Sequence, residues 1–293
     1  MRLEEQLHRM EQDLQLRGMS ASTQFNYLRA VRKYSEYFKK PPDQITESEL
    51  RDYFIYLKNV KKFSRSASTQ AICGIKFFYS YTIKREWPTF KLMRSPHEYK
   101  LPVVLTREEV RRLLSSVRIF RHRACLTTIY ACGLRIGEGT RLRIGDIDSQ
   151  RMLVHIKAGK GAKDRYVPLP ETTLHLLREF WKTHRNTTWL FPAPGRSGTH
   201  MHESTKPLPI TSVQIVFKTA LRECRIYKNA SVHTLRHSYA THLLEEGVNL
   251  RLIQQYLGHR SPKTTAIYTH LTQTAYQAGF QAVNALMADL PVR

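Results

Sequence analysis

Apolar residues recur every third or fourth position through much of this chain, the period of helices with one buried face. In residues 22–38, STQFNYLRAVRKYSEYF, the residues Tyr27, Val31, Tyr34 and Phe38 share such a face. Residues 46–57, TESELRDYFIYL, place Thr46 and Glu49 at capping-box spacing ahead of Leu50, Tyr53, Phe54 and Leu57. A second run begins after RSPHEYKLPVVLT, whose prolines and lack of helical period read as a linker over residues 95–105. There Thr106 and Glu109 form another capping box before Val110, Leu113, Leu114 and Val117. The expected organisation is a helical domain over residues 1–94 and a second domain over 106–293.

Inside the second domain the period changes. In RMLVHIKAGKGAKDRYVPL, Met152, Val154 and Ile156 alternate, a turn rich in Gly and Lys follows, and RYVPL returns, so a β-hairpin is expected. Its turn carries Lys157, Lys160 and Lys163, more charge than closing a hairpin requires. Residues 184–211 are rich in Pro, Gly, Ser, Thr and His and read as a long exposed loop. Thr211 with Gln214 is the expected cap of a helix bearing Val213, Val216, Phe217 and Leu221. The next helix, HTLRHSYATHLL (233–244), buries a stripe of Leu235, Tyr239, Leu243 and Leu244, yet crowds His233, Arg236 and His237 into its first turn. Asn249 caps LRLIQQYL, Gly258 ends it, and Ser261 with Pro262 restarts a helix that would hold Tyr268 about two turns in. The fold class expected from this pattern is mainly α with a small antiparallel β-hairpin sheet, which makes the second domain α+β.

Charge narrows the partner. Lys and Arg number 47 against 24 Asp and Glu, a formal net charge of +23, which calls for a polyanion. The stretch from Lys58 to Arg85 has no acid and interleaves its bases with Phe63, Phe77, Phe78, Tyr79 and Tyr81. It reads as a surface for a phosphate backbone, with Lys58, Lys61, Lys62, Arg65 and Lys76, and Lys163 of the hairpin turn, as candidate DNA contacts. It reads equally well as a solvated charge face over an aromatic core. No apolar run long enough for a membrane span occurs, and no membrane partner is expected. The four cysteines, Cys73, Cys125, Cys132 and Cys224, lack zinc-site spacing and read as small core residues of a reducing compartment, the nucleoid-bearing cytoplasm.

Two chemistries compete for the C-terminal motifs. A helix-turn-helix regulator would use the last two helices to read a groove and has no need of an upstream lysine hairpin. An enzyme that breaks a phosphodiester without a metal needs a nucleophile, cations for the non-bridging oxygens and an acid for the departing alkoxide. This chain has a candidate for each.

The segments ACGLRIGEGTRL, AGKGAKDRYVPL, HTLRHSYATHLL, YLGH and KTTAIYTHL occur in the order and approximate spacing of the tyrosine recombinase (phage integrase) family, which the chain resembles over essentially its whole length. KLPVVLTREEVRRLL looks especially like integron integrases and Xer-type recombinases, although residues 181–211 do not resemble the integron-specific helical insertion. The resemblance implies a C-shaped clamp around double-stranded DNA recombination sites, a tetramer on two sites, no cofactor and no metal, with room for an accessory protein. It implies a catalytic set of Arg135, Lys160, His233, Arg236, His259 and Tyr268. Tyr268 would attack phosphorus to leave a 3′-phosphotyrosine and a free 5′-hydroxyl. Arg135 and Arg236 would grip the non-bridging oxygens, Lys160 would protonate the leaving oxygen, and His233 would act as base or relay. His259 would hydrogen-bond the phosphate and Glu138 would orient Arg135 or His233, while His237 reads as structural. A type IB topoisomerase-like enzyme would share this chemistry as a monomer. Gly137 and Gly139 depart from the more apolar helix usual after the first arginine and cost about 1 kcal/mol each in helix propensity, which places helix rigidity in question.

Overall fold

The computed structural model describes residues 2–92, 101–157, 164–195, 200–259 and 261–268. The chain divides into two compact units, residues 1–99 and 100–293. Each has its own hydrophobic core.

The first unit consists of α1 (Leu3–Leu16), α2 (Ala21–Phe38), α3 (Glu47–Asn59), α4 (Arg65–Phe77) and the short α5 (Thr89–Leu92), with a π-helical turn over Phe78–Ile83. The Thr46 hydroxyl accepts from the Glu49 N–H at 3.3 Å while the Glu49 carboxylate accepts from the Thr46 N–H at 2.8 Å, the reciprocal cap its spacing predicts. Val31 and Tyr34 of α2 are buried in one core with Leu7, Met10 and Leu14 of α1, and with Ile75 and Phe78. Gly74 makes the α2–α4 crossing possible, since a Cβ there would lie 3.0 Å from the Tyr27 Cα.

The second unit begins with residues 101–105, which have no regular secondary structure. Leu105 is buried and its N–H donates to the Ser238 hydroxyl at 2.9 Å, so this end of the expected linker is part of the domain packing. Residues 95–100 of that linker lie outside the described residues. Then come α6 (Arg107–Ser116), α7 (Phe120–Ala131) and the five-residue α8 (Ile136–Thr140). A three-stranded antiparallel sheet follows in the order β1 (Ile147–Asp148), β2 (Leu153–Ile156), β3 (Arg165–Pro168). The register pairs Ile156 with Arg165 at the turn end and buries Val154, Ile156 and Val167 on one face. The expected hairpin is therefore present with one short extra strand. Residues 158–163 of its turn, with Lys160 and Lys163, lie outside the described residues.

Helices α9 (Glu171–Lys182), α10 (Ile210–Glu223), α11 (Val232–Glu245), α12 (Leu250–Leu257) and α13 (Pro262–Ala266) complete the described unit. Two expectations need correction here. The connection from residue 184 to 211 is irregular, but its described parts are tied into the core: Leu190, Phe191 and Leu208 are buried, and the Leu208 N–H donates to the Phe191 carbonyl at 2.8 Å. The Asn186 carboxamide acts as its hub, donating to the carbonyls of Met201, His202 and Ser204 and accepting from the N–H groups of Thr188 and Trp189. A composition rich in turn formers conceals this, because one buried Asn replaces regular backbone pairing. Helix α10 starts at Ile210 behind Pro209, not behind a Thr211 cap; the preset φ of proline suits the entry.

Candidate active site

The turn between α7 and α8 carries the first candidate. Gly133 has φ of +59° and lies against Tyr239 of α11, where a Cβ would come within 2.4 Å of the ring. Arg135 follows at the N-terminus of α8 with its side chain open to solvent. Gly139 resolves the question of helix rigidity: a Cβ there would lie 2.4 Å from Cγ1 of the buried Ile129, so the glycine lets α8 press onto α7. Its low helix propensity is offset by close packing.

Glu138 organises the cations. Its carboxylate accepts from the Arg135 N–H at 2.8 Å and from Arg135 Nη1 at 2.7 Å. It also receives both terminal nitrogens of Arg165, from β3, at 3.1 and 2.8 Å. Burial opposes its charge, but hydrogen bonds and attraction from Arg165, then from Arg135, win and lower its pKa to about 2. Arg165 reaches further: its Nε donates to the Tyr256 carbonyl of α12 at 2.7 Å. Neither the composition nor the helical period singles out Arg165. It is legible only as the base that ends the lysine turn.

Arg236 is 1% exposed and bridges three segments. Nη1 donates to the Gly133 carbonyl at 2.8 Å, Nη2 to the Leu257 carbonyl at 2.5 Å, and Glu138 lies 3.8 Å away. Burial and the neighbouring Arg135 pull its pKa down to about 10, so the guanidinium is still charged at neutral pH. Three guanidinium groups thus converge on a single carboxylate, leaving a positive excess suited to an anion.

Three histidines surround this charge. His233 faces outward from the first turn of α11, and its ring meets that of His237 edge to face at 4.6 Å. His259, just after α12, hydrogen-bonds the Thr265 hydroxyl through Nδ1 at 2.9 Å. Burial, followed by the charges of Arg236 and Arg135, lowers the His259 pKa to about 4; burial, His233 and Arg236 do the same for His237. His233 is lowered by desolvation and by Arg236 and Arg135. All three rings are driven toward the neutral form.

Tyr268 does not lie within the helix, as its spacing suggests. Helix α13 ends at Ala266, and Tyr268 sits in the following turn, its N–H donating to the Thr265 carbonyl at 3.1 Å. The side chain is 1% exposed and packs with Tyr239, Ala240, Ile253 and Leu257. Its ring stacks 6.4 Å from that of His259. The hydroxyl lies 2.9 Å from His237 Nδ1, so a residue that reads as structural in the sequence touches the candidate nucleophile. The one signal for this in the sequence is that His237 stands a helical turn beyond His233. Burial raises the Tyr268 pKa, while Arg236 and Arg135 pull it back.

Arg135, Glu138, His233, Arg236, His259 and Tyr268 therefore come together, joined by Arg165 and His237. Lys160 and Lys163 lie outside the described residues, and Lys157 is engaged by Asp146 at 2.7 Å. Lys58, Lys61, Lys62 and Lys76 are exposed on the first unit; Arg65 opens α4, its side chain outside the described residues. Among the described residues, no His, Cys, Asp or Glu cluster is arranged to hold a metal and no helix is long and apolar enough to cross a membrane.

The chain is similar to known proteins along most of its length. Residues 103–275 match the phage integrase family and residues 7–89 match its N-terminal SAM-like domain. The Sinorhizobium fredii protein y4qK, designated a putative integrase/recombinase, is 41% identical over 264 residues, spanning 90% of this chain and 83% of the relative. The tyrosine recombinase XerD of Oceanobacillus iheyensis is 31% identical, with 91% and 93% covered. In fold, the chain matches the crystal structure of the XerH site-specific recombinase bound to its difH substrate, with a TM-score of 0.68 at 23% identity, over 90% of this chain and 80% of that one.

Proposed function

This chain belongs to the phage integrase family, the tyrosine-type site-specific DNA recombinases, and on that premise we propose that it cuts and rejoins duplex DNA with Tyr268 as nucleophile. The observation that carries the assignment is the Tyr268 hydroxyl held on α11 by His237, one residue from the buried Arg236. Attack of Oη on phosphorus forms the 3′-phosphotyrosyl bond, breaks the bond to the 5′ oxygen and conserves the ester for rejoining. Arg135 and Arg236 neutralise the non-bridging oxygens; such transfer is catalysed mainly by positioning and charge stabilisation. Their pairing with Glu138 and with backbone carbonyls fixes the forks before substrate arrives. His259 donates to the phosphate, and Lys160 supplies the proton to the departing 5′ oxygen.

The first unit would contribute Lys58, Lys61, Lys62, Arg65 and Lys76 as phosphate contacts, with Lys163 as a further contact from the catalytic unit. Four protomers would act on two sites, with or without an accessory protein, in the cytoplasm at the nucleoid. The segment from Ala275 to Leu286, whose apolar Ala275, Phe280, Val283 and Leu286 suit docking on a neighbour or on its own domain, lies outside the described residues.

The test is a denaturing gel of protein incubated with nicked suicide duplexes tiled across the DNA flanking its own gene. Wild type forms a covalent adduct and Tyr268→Phe binds without forming one. An adduct that persists in the variant places the nucleophile elsewhere, whereas activity untouched by the change favours a DNA-binding regulator. Lys160→Ala regains cleavage on a substrate with a 5′-sulfur leaving group if Lys160 is the acid.

A further inference from the structure

Tyr268 enters the reaction as a phenol, and its proton must go somewhere. Burial raises its pKa, so the phenolate is scarce at neutral pH and attack requires an acceptor within hydrogen-bond reach. Among the described residues the hydroxyl has one such neighbour, His237 Nδ1 at 2.9 Å. The other histidines are differently occupied: His259 Nδ1 is bound to the Thr265 hydroxyl, and His233 approaches the ring of His237 at 4.6 Å.

Resting on the assignment of Tyr268 as nucleophile, we propose that His237 is a catalytic residue, the general base that takes the Tyr268 proton during cleavage and returns it during rejoining. The ring carries its own proton on Nε2 and presents the Nδ1 lone pair to the phenol. As an Oη lone pair bonds to phosphorus, the O–H bond breaks, its electron pair stays on oxygen and the proton passes to Nδ1, giving an imidazolium. The P–O5′ bond breaks and its oxygen takes a separate proton from the acid. In rejoining, the imidazolium protonates the departing phenolate, so the ring starts and ends neutral and no outside reagent is consumed.

Three features support this. His237 sits on α11 between Arg236, which is tied to two backbone carbonyls, and the buried Ser238, so its position is set by a rigid helix. Burial first, and then the neighbouring His233 and Arg236, keep it neutral before substrate binds, with a pKa pushed down to about 4. An anionic phosphate gripped by Arg135 and Arg236 offsets their charge and raises the basicity of the ring, so the base strengthens only when substrate is in place. Basicity is thereby coupled to DNA occupancy.

The proposal is tested first in the free protein. Long-range ¹H–¹⁵N spectra should show His237 as the Nε2–H tautomer with an acceptor Nδ1 whose shift moves in Tyr268→Phe. A protonated Nδ1 overturns the assignment. On the suicide duplex that gives a wild-type adduct, His237→Ala should bind as wild type but cleave roughly 100-fold more slowly, within the range for loss of a general base. Its rate should climb with pH as the phenol ionises unaided, where wild type is level, and exogenous imidazole should restore part of it. His237→Asn places an amide oxygen near the Nδ1 position and guards against a folding defect; it should stay slow. Wild-type rates for His237→Asn would reduce His237 to a positioning role and overturn the proposal, as would an unchanged pH profile in His237→Ala. An adduct in Tyr268→Phe would instead remove the underlying assignment of the nucleophile.

Discussion

Arg165 and Glu138 meet as a fork on a carboxylate, at 3.1 and 2.8 Å, and join the strand that leaves the lysine turn to the short helix behind Arg135. The same carboxylate holds Arg135, and Arg165 also grips the end of α12. The pair is thus the joint through which the hairpin, the first arginine and the segment leading to His259 share one geometry.

Glu138→Gln keeps the shape and removes the charge. Three guanidinium groups then face one another without a counterion, and Arg135 loses its ionic partner. Cleavage should fall at least 10-fold with duplex binding retained, and stability should drop by up to about 3 kcal/mol, as expected when one partner of a largely buried pair is lost. Arg165→Ala should act in the same direction. The double variant should lose less than the sum of the two singles, because both remove the Arg165–Glu138 pair. Urea unfolding and single-turnover cleavage measure the two effects separately.

Gly139→Ala tests whether close packing, not helix propensity, governs α8. Alanine is the better helix former, so propensity alone predicts stabilisation. The 2.4 Å approach that a Cβ would make to Ile129 Cγ1 predicts the reverse, a loss of about 1–3 kcal/mol with Arg135 displaced and cleavage reduced. Combined with Ile129→Ala, which removes the clashing atom, the loss should be less than the sum of the two single changes. Thermal melts of the four proteins decide it.

Helical periods, capping boxes at Thr46 and Thr106, the hairpin and the Asn249 and Gly258 boundaries can be read from the chain, because each rests on neighbours in sequence. What cannot be read depends on long-range packing. Arg165 contacts Glu138 across 27 positions and His237 contacts Tyr268 across 31, and nothing local marks either as a partner. The 184–211 connection looks like exposed loop in sequence because its order comes from one Asn side chain and not from a period. Tyr268 reads as helical because Pro262 signals a start, while no residue signals a stop at Ala266.

The lysines of the first unit give a prediction in salt dependence. Lys58, Lys61, Lys62 and Lys76 are exposed, and a lysine that neutralises one phosphate releases its condensed counterion. Replacing each contacting lysine by alanine should flatten the plot of log binding constant against log salt by roughly 0.9, equally for specific and unrelated duplexes. A lysine belonging only to a solvated face leaves the slope unchanged. Fluorescence anisotropy between low and physiological salt separates the two for each position.

The buried histidines make the protein acid-sensitive in a defined window. His122, His237 and His259 all have pKa values lowered to about 4, each chiefly by burial, against an ordinary value of 6.5. Between those values the unfolded chain binds protons that the folded chain refuses, so stability rises with pH through the window and is lost as pH falls from about 6.5 toward 4. Each group contributes a slope of up to about 1.4 kcal/mol per pH unit there. His122 lies apart from the site, bound to the Ser212 hydroxyl at 3.2 Å. His122→Gln should therefore remove up to about 1.4 kcal/mol per pH unit of the slope without altering cleavage, and His237→Asn should remove a similar amount while slowing cleavage. Urea midpoints taken at intervals from neutral pH down to the folded-state values give the slopes. A flat profile across that range would mean that these rings bind protons equally in the folded and unfolded chain, so that burial does not lower their pKa values.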